Sequence, residues 1–376
     1  MSKPLQHVYL SLGSNMGNKF EYLQQAVNSI FQEIGTIVKI SSVYKTPAMG
    51  FEGDDFLNCA LQLNTSLSPN KILEAVLGIE KSLGRERSSS LNYSSRPIDI
   101  DILFVDELEK KTKKLCIPHP ELHKRRFVLQ PMVELNPNFE HPSLKKKMIR
   151  LLADTEDKSV IEKQSKWLRN PRQDYDLAKY NYIAIEGNIG VGKTSLASKL
   201  AEDFNAKLIL ERFQENPFLP KFYVDPSRYA FPLEMSFLAD RYQQLLEDIT
   251  QFDLFKDCVV ADYDVYKSLI FAKVTLAEEE FSLYKKLFQI MHKELPKPDI
   301  YVYLYQKTDR LLDNIKKRGR SYEKSIKEEY LKKIHDGYFD FIKTQHESNI
   351  RIIDISNKDF VRNRKDYLSI IKEMLG

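Results

Sequence analysis

The stretch RPIDIDILF, residues 96–104, alternates apolar and acidic side chains as a strand with two unlike faces does, so Asp99 and Asp101 leave the chain on the same side. Two carboxylates that close repel each other, and Ile98, Ile100, Leu103 and Phe104 argue that this strand is not wholly in water. A cation between them resolves the conflict, and hard divalent ions suit carboxylate oxygens. Farther along, GNIGVGKT, Gly187 to Thr194, has the spacing G-x-x-x-x-G-K-[ST], with strand-like YIAIE before it and helix-like SLASKLAEDF after it. Glycines let the backbone amides close on phosphate oxygens, Lys193 would neutralise the β- and γ-phosphates, and Thr194 would ligate Mg2+. Gly187, Asn188, Ile189, Gly190, Val191, Gly192, Lys193, Thr194 and Ser195 are therefore expected to cradle a nucleoside triphosphate such as ATP. In LILERF, Glu211 stands at the carboxyl end of the next predicted strand, where open α/β sheets carry their ligands, and a carboxylate there can take a proton from an attacking hydroxyl.

The elements that must position these groups fall into two programs. Before about residue 155, short strands at 8–14, 37–46, 56–65 and around 99–104 mix with amphipathic helices at 21–35 and 69–84, without regular β-α repeats. That pattern predicts an α+β sheet with helices packed on it. Residues 156–178 are polar, charged and poor in aliphatics, and read as a linker. From 179 to 376 the short apolar runs at 208–212, 257–263, 299–305 and 350–356 are separated by long helical patterns, which predicts β-α crossovers and a buried parallel sheet.

The 376 residues exceed one typical core, in line with two domains. With 57 Lys+Arg against 53 Asp+Glu the net charge is only +4, and its interspersed pattern gives no reason to expect nucleic acid or a membrane as partner. Three cysteines, Cys59, Cys116 and Cys258, lie far apart and lack metal-ligand spacing, which fits a reducing compartment. No stretch of about 20 apolar residues is present, and a cytoplasmic protein is expected.

LILERF, NPFLPKFYVDPSRYAFPLEMSFLADRY and IKKRGRSYE together resemble the deoxyribonucleoside kinase family over about residues 180 to 375. The resemblance implies that Glu211 is the base for a 5′-hydroxyl, with Arg241 close by. It implies that Tyr223 and Glu323 hold the sugar 3′-hydroxyl, and that Arg318 and Arg320 form a lid over the phosphates. Where the family often reads the base with a glutamine seven residues before that arginine, this chain has Glu234. The resemblance, which extends to the family's purine-preferring bacterial members, implies a purine deoxynucleoside, and an ionised Glu, which only accepts hydrogen bonds, suits an exocyclic amine as on adenine, so deoxyadenosine is favoured. The family's Glu-Arg-Ser segment is also replaced, leaving Asp262 and Lys267 as the charged groups of that region. A homodimer through the kinase domain is a further expectation of the resemblance.

LSLGSN, KTPAMGFEGDDFLNCAL, GIEKSLGRER, RPIDIDIL and IPHPELHKRRFVLQPMVEL occur in the order found in 6-hydroxymethyl-7,8-dihydropterin pyrophosphokinase, and the resemblance covers about residues 5 to 155. It implies a ferredoxin-like α/β sandwich that transfers pyrophosphate from ATP to a pterin hydroxymethyl group and releases AMP. Asp99 and Asp101 would then bind two Mg2+ ions, with Arg96, Arg87 and Arg85 along the triphosphate. His119, Arg125 and Glu80 match further ATP-side positions, while Thr46, Asn58, Phe56 and Phe127 match the pterin side. Tyr93, in the loop 88–96, replaces a common tryptophan. The expected protein is a bifunctional enzyme acting on small molecules; the alternatives are that one half is an inactive nucleotide-binding or dimerisation module, or that the second half phosphorylates another small alcohol.

Overall fold

The computed structural model describes residues 5–49, 51–85, 95–213, 216–250, 256–345 and 349–376. The expected contributions of Arg87 and Tyr93 lie outside the described residues. The chain divides into two compact units, Met1–Tyr175 and Asp176–Gly376.

The first unit runs β1 (Gln6–Ser14), α1 (Lys19–Glu33), β2 (Thr36–Ile40), β3 (Tyr44–Thr46), β4 (Phe56–Thr65), α2 (Pro69–Ser82), β5 (Asp99–Val105), β6 (Lys110–Lys111), β7 (Cys116–Ile117), α3 (Arg126–Leu135), α4 (Met148–Asp154) and β8 (Glu162–Lys163). Its main sheet is antiparallel in the order β5-β1-β4-β3-β8, with β2 also paired to β4. This antiparallel sheet with helices packed on it agrees with the expected ferredoxin-like sandwich. The run 37–46, expected as one strand, is interrupted after Ile40: Ser41 hydrogen-bonds Ala60, and Glu134 accepts from the Ser42 amide at 2.9 Å.

Strand periodicity sets the acidic face. Asp99 stands opposite Gly13 and Asp101 opposite Ser11 of β1. Past a β-bulge at Tyr9/Leu10, Phe104 stands opposite Tyr9 on that face, and together with Leu103 it joins Tyr9, Val128, Leu129 and Met132 in a core beneath α3. Apolar burial on this face thus fixes where the two carboxylates emerge.

Of residues 156–178, expected as a linker, those up to Tyr175 fold into the first unit. Tyr44 pairs with Lys163 and Lys45 with Glu162, Asn170 donates to the Ile37 carbonyl at 3.1 Å, and the buried Tyr175 ring lies 5.3 Å from Phe31. The first unit therefore reaches Tyr175.

The second unit runs β9 (Tyr182–Gly187), α5 (Lys193–Phe204), β10 (Lys207–Ile209), α6 (Leu219–Phe222), α7 (Pro226–Thr250), β11 (Val259–Ala261), α8 (Tyr266–Thr275), α9 (Glu278–His292), β12 (Ile300–Tyr305), α10 (Thr308–Arg318), α11 (Glu328–Thr344), β13 (Ile350–Asp354) and α12 (Arg364–Leu375). All five strands are parallel in the order β10-β11-β9-β12-β13, the expected buried parallel sheet. Its central strand, β9, leads directly into the glycine-rich loop. Among the described residues, no helix is long and apolar enough to cross a membrane.

Candidate active sites

In the first unit a cavity of about 160 Å³ is lined by Ser11, Gly13, Thr46, Pro47, Met49, Phe51, Phe56, Asn58, Arg96, Asp99, Asp101, Arg125 and Phe127. Five elements converge there, β1 supplying Ser11 and Gly13. β4 supplies Phe56 and Asn58, β3 supplies Thr46, β5 the acid pair and the first turn of α3 supplies Phe127. The buried Asn58 donates through Nδ2 to Thr46 Oγ1 at 2.8 Å, which fixes its amide. Arg96 lies over the Phe56 ring at 5.9 Å and Arg125 over Phe127 at 5.9 Å, so cations and aromatics share the rim.

The electrostatics bear on the cation expected at the acid pair. Burial, and then the neighbouring Asp99 charge, push the Asp101 carboxyl up to about 7. A divalent ion would relieve both effects, and Mg2+ is commonly held by one or two carboxylates, waters and substrate phosphates rather than by an all-protein cage. The residues therefore fit it. Arg85 meets Asp99 Oδ1 and Glu80 Oε1, and Arg96 Nη2 lies 3.2 Å from Asp99 Oδ2. Glu80 is buried and also accepts from the Ile100 amide at 2.9 Å, so it pins β5 and Arg85 and does not line the cavity. His119 likewise stays off the cavity wall: its amide bonds the Leu103 carbonyl at 3.0 Å and its Nδ1 faces the Glu121 amide at 3.3 Å. Burial and the nearby Arg125 charge depress its proton affinity.

Asn15 was not singled out by sequence, although LSLGSN contains it. Its side chain accepts from the Arg96 amide at 2.8 Å and donates to Ser95 Oγ at 3.0 Å, which holds Arg96, three residues before the acid strand, in place.

In the second unit two cavities meet. The larger, about 1040 Å³, is lined by Gly190, Val191, Gly192, Lys193, Thr194 and Ser195 together with Arg310, Asn314, Arg318, Arg320 and the Lys358–Arg362 segment. The smaller, about 120 Å³, holds Tyr223, Glu234, Phe237, Arg241, Lys267, Tyr330 and Glu323. Lys193, Thr194, Glu211, Asp262, Arg318 and Arg320 line both, so these charged and polar groups sit where the two spaces join.

The loop is built by glycine. Gly190 and Gly192 have φ of 81° and 103°, backbone that side chains rarely adopt, and a Cβ on Gly187 would approach the Leu304 carbonyl oxygen to 2.6 Å. Asn188 braces the loop from within by donating to the Leu331 carbonyl at 2.7 Å. The Lys193 ammonium lies against the Gly187 and Asn188 carbonyls at 2.8 and 3.1 Å, and burial followed by Lys267 lowers its pKa to about 8.

Glu211 is held by two cations. Arg241 donates to its Oε1 through Nε (2.9 Å) and Nη2 (2.6 Å), and Lys267 donates to Oε2 at 2.5 Å. Burial alone would raise the carboxyl, but the Lys267 and Arg241 charges outweigh it and hold it well below the usual carboxylate range. Ser268 receives the remaining Arg241 bond at 2.7 Å. Asp262 ties this group to the loop: its Oδ2 accepts from Thr194 Oγ1 at 2.5 Å and its Oδ1 from the Glu211 amide at 2.8 Å. Thr194 and Asp262 are thus the pair suited to Mg2+ beside a phosphate.

Arg318 closes α10 and Arg320 follows Gly319, whose φ is 74°. Both guanidinium groups converge on the buried Glu323, with Arg318 contacts of 2.6 to 3.1 Å and Arg320 at 3.1 Å. Arg320 also covers the Phe213 ring at 4.0 Å, and Tyr223 stacks on Tyr322 at 6.0 Å.

Comparison with known proteins follows the same division. A family model described as deoxynucleoside kinase matches residues 183–375. One described as 7,8-dihydro-6-hydroxymethylpterin-pyrophosphokinase matches residues 9–137. The chain is 39% identical over 201 residues to a deoxyguanosine kinase of Bacillus subtilis (strain 168), 52% of this chain and 97% of that protein. It is 33% identical over 185 residues to a deoxyadenosine kinase of Dictyostelium discoideum, 48% of this chain and 74% of that protein. It is 41% identical over 140 residues to a 2-amino-4-hydroxy-6-hydroxymethyldihydropteridine pyrophosphokinase of Aquifex aeolicus (strain VF5), 37% of this chain and 86% of that protein.

Proposed function

The chain belongs to the 7,8-dihydro-6-hydroxymethylpterin-pyrophosphokinase family in its first unit and to the deoxynucleoside kinase family in its second, and from that premise we propose a bifunctional ATP-dependent transferase. The first site moves the terminal pyrophosphoryl group of ATP to the hydroxymethyl oxygen of a dihydropterin and leaves AMP. The second moves the γ-phosphoryl group to the 5′-hydroxyl of a purine deoxynucleoside and leaves ADP.

For the first site the supporting observation is that Asp99 and Asp101 line the same cavity as Asn58 and Phe127. Asn58 presents an amide with both donor and acceptor, as an aminopyrimidinone edge requires, while Phe56 and Phe127 offer faces to the ring. Asp99 and Asp101 would hold Mg2+, which when bound neutralises charge on the transferring phosphates. Arg85, Arg96 and Arg125 supply fixed guanidinium groups around the same acids.

For the second site the carrying observation is Glu211 at the junction of the two cavities, clamped by Arg241 and Lys267. A carboxylate so stabilised stays ionised and accepts the 5′-hydroxyl hydrogen bond, orienting the oxygen toward the phosphorus. It takes the proton late, when the forming bond has made that hydroxyl acidic, in keeping with a loose phosphoryl-transfer transition state. Lys193, Arg318 and Arg320 meet the phosphates from the other side, and Tyr223 with Glu323 faces the sugar. Thr194 and Asp262 would hold the Mg2+ of this site.

A homodimer through the second unit is part of the proposal. Leu283 and Ile290, two turns apart on α9, are 52% and 69% exposed and give that helix an uncovered apolar face.

Product identity tests the two assignments. With dihydropterin and ATP, AMP is expected; with a purine deoxynucleoside and ATP, ADP is expected. Release of ADP alone with dihydropterin, or no phosphorylation of any deoxynucleoside, would overturn the corresponding half.

A further inference from the structure

Glu234 is an acid of the nucleoside cavity that neither the Arg241–Lys267 pair nor the Arg318–Arg320 pair binds. It is 2% exposed, lines the cavity, and its Oε2 has no hydrogen-bond partner. It stands seven residues before Arg241 on α7, which is two helical turns on one face and roughly 10 Å along the axis. Arg241 holds Glu211 at the reacting end, so Glu234 stands at the far end, at about the distance of the base from the 5′-oxygen.

Its surroundings accommodate a proton or its absence. Thr275 Oγ1 lies 3.0 Å from Glu234 Oε1 and 2.9 Å from the Phe271 carbonyl. A hydroxyl has one hydrogen, and Thr275 can donate it to Oε1 of a Glu234 carboxylate or of a neutral Glu234 whose own proton sits on the unpartnered Oε2, where it stays available to the base. Both arrangements use the same heavy-atom positions. Around the carboxyl stand Arg241 and, beyond it, Lys267 from α8 and Glu211. Tyr223, Tyr284 of α9 and Tyr330 of α11 face it as neutral phenols, their hydroxyls raised by burial. Burial outweighs the Arg241 charge and the Thr275 bond, and pushes Glu234 up to about 7.

We propose that Glu234 selects the purine by its protonation state, admitting adenine as the neutral acid and turning the site to guanine as the carboxylate. The proposal rests on the deoxynucleoside-kinase reading of this cavity. A neutral carboxyl offers one donor and one acceptor, which match the 6-amino group of adenine and the ring nitrogen beside it. A carboxylate offers only acceptors. It repels that ring nitrogen, but it matches the two donors of guanine, the N1–H and the 2-amino group. A mismatched buried polar group costs about 1–3 kcal/mol, enough to reverse a preference.

The test is the ratio of kcat/KM for deoxyadenosine to that for deoxyguanosine, measured with the full-length chain and ATP from about pH 6 to about pH 8.5. Ionisations shared by both reactions, such as those of Lys193 and ATP, cancel in the ratio. The ratio is expected to fall by roughly tenfold or more as pH rises, with its midpoint near neutrality. In Glu234→Gln, whose amide donates and accepts at every pH, the ratio should be flat. A constant ratio in the unmodified protein overturns the proposal, and so does a Gln variant that keeps the pH-dependent profile. Phosphorylation of neither nucleoside would instead overturn the kinase reading beneath it.

Discussion

In the Glu211 carboxylate, Oε1 is taken by Arg241 and Oε2 by Lys267, so its ionisation depends on two neighbours that can be removed singly. Lys267 is the larger opposing influence to burial. In Lys267→Met the carboxyl should regain part of its upward push, and an acid limb in the kcat profile for nucleoside phosphorylation should move to higher pH by about one to three pH units. The sign follows because the reactive form is ionised: a higher pKa means that activity is lost at a higher pH as acid is added. A profile unchanged from the parent would show that Lys267 does not govern this carboxylate. Glu211 was legible from its place at the end of a predicted strand, whereas Arg241 and Glu234 were legible only through the family resemblance. The sequence suggested positive charge from Lys267 without locating it, because its partner stands 56 positions away on another element. Glu80 and His119 were matched to the ATP side; in the fold Glu80 Oε1 pins β5 and His119 Nδ1 accepts in the turn after β7, partnerships that only the folded sheet creates.

Two elements depend on the absence of a single carbon. A Cβ on Gly13 would come within 2.7 Å of Asn58 Oδ1, and Asn58 cannot retreat freely because Thr46 fixes its amide. Gly13→Ala should therefore raise KM for the dihydropterin by about tenfold, the equivalent of one displaced hydrogen-bonding group, while nucleoside phosphorylation is unchanged. On the other unit, a Cβ on Gly187 meets a β12 backbone oxygen, which has nowhere to go. Gly187→Ala should lower the stability of that unit by about 1–3 kcal/mol and reduce affinity for ATP, read by thermal unfolding with and without nucleotide. Elements themselves were largely legible from periodicity: β1, β4 and α2 fall close to their expected places. The break between β2 and β3 was not, because the groups that interrupt the strand, Ala60 and Glu134, are distant in sequence.

At the scale of the whole chain, two compact units carry separate acid clusters, so damage to one should leave the other working. Asp99→Ala is expected to abolish AMP release with dihydropterin and spare nucleoside phosphorylation; Glu211→Ala should do the reverse, with a loss of about a hundredfold or more. Loss of both activities in either variant would contradict independent sites. The division into an α+β unit and a parallel-sheet unit was readable from composition and spacing alone. Its boundary was misread because 156–178 looks like tether by polarity, while β8 is only two residues long and its fixing contacts are backbone pairs and one buried tyrosine. That short strand has a practical corollary for anyone dissecting the gene. A fragment ending at residue 155 would bare the β3 edge that carries Thr46 and uncover Phe31, inviting strand addition from a second molecule and aggregation during expression. One ending after Tyr175 keeps that edge sealed.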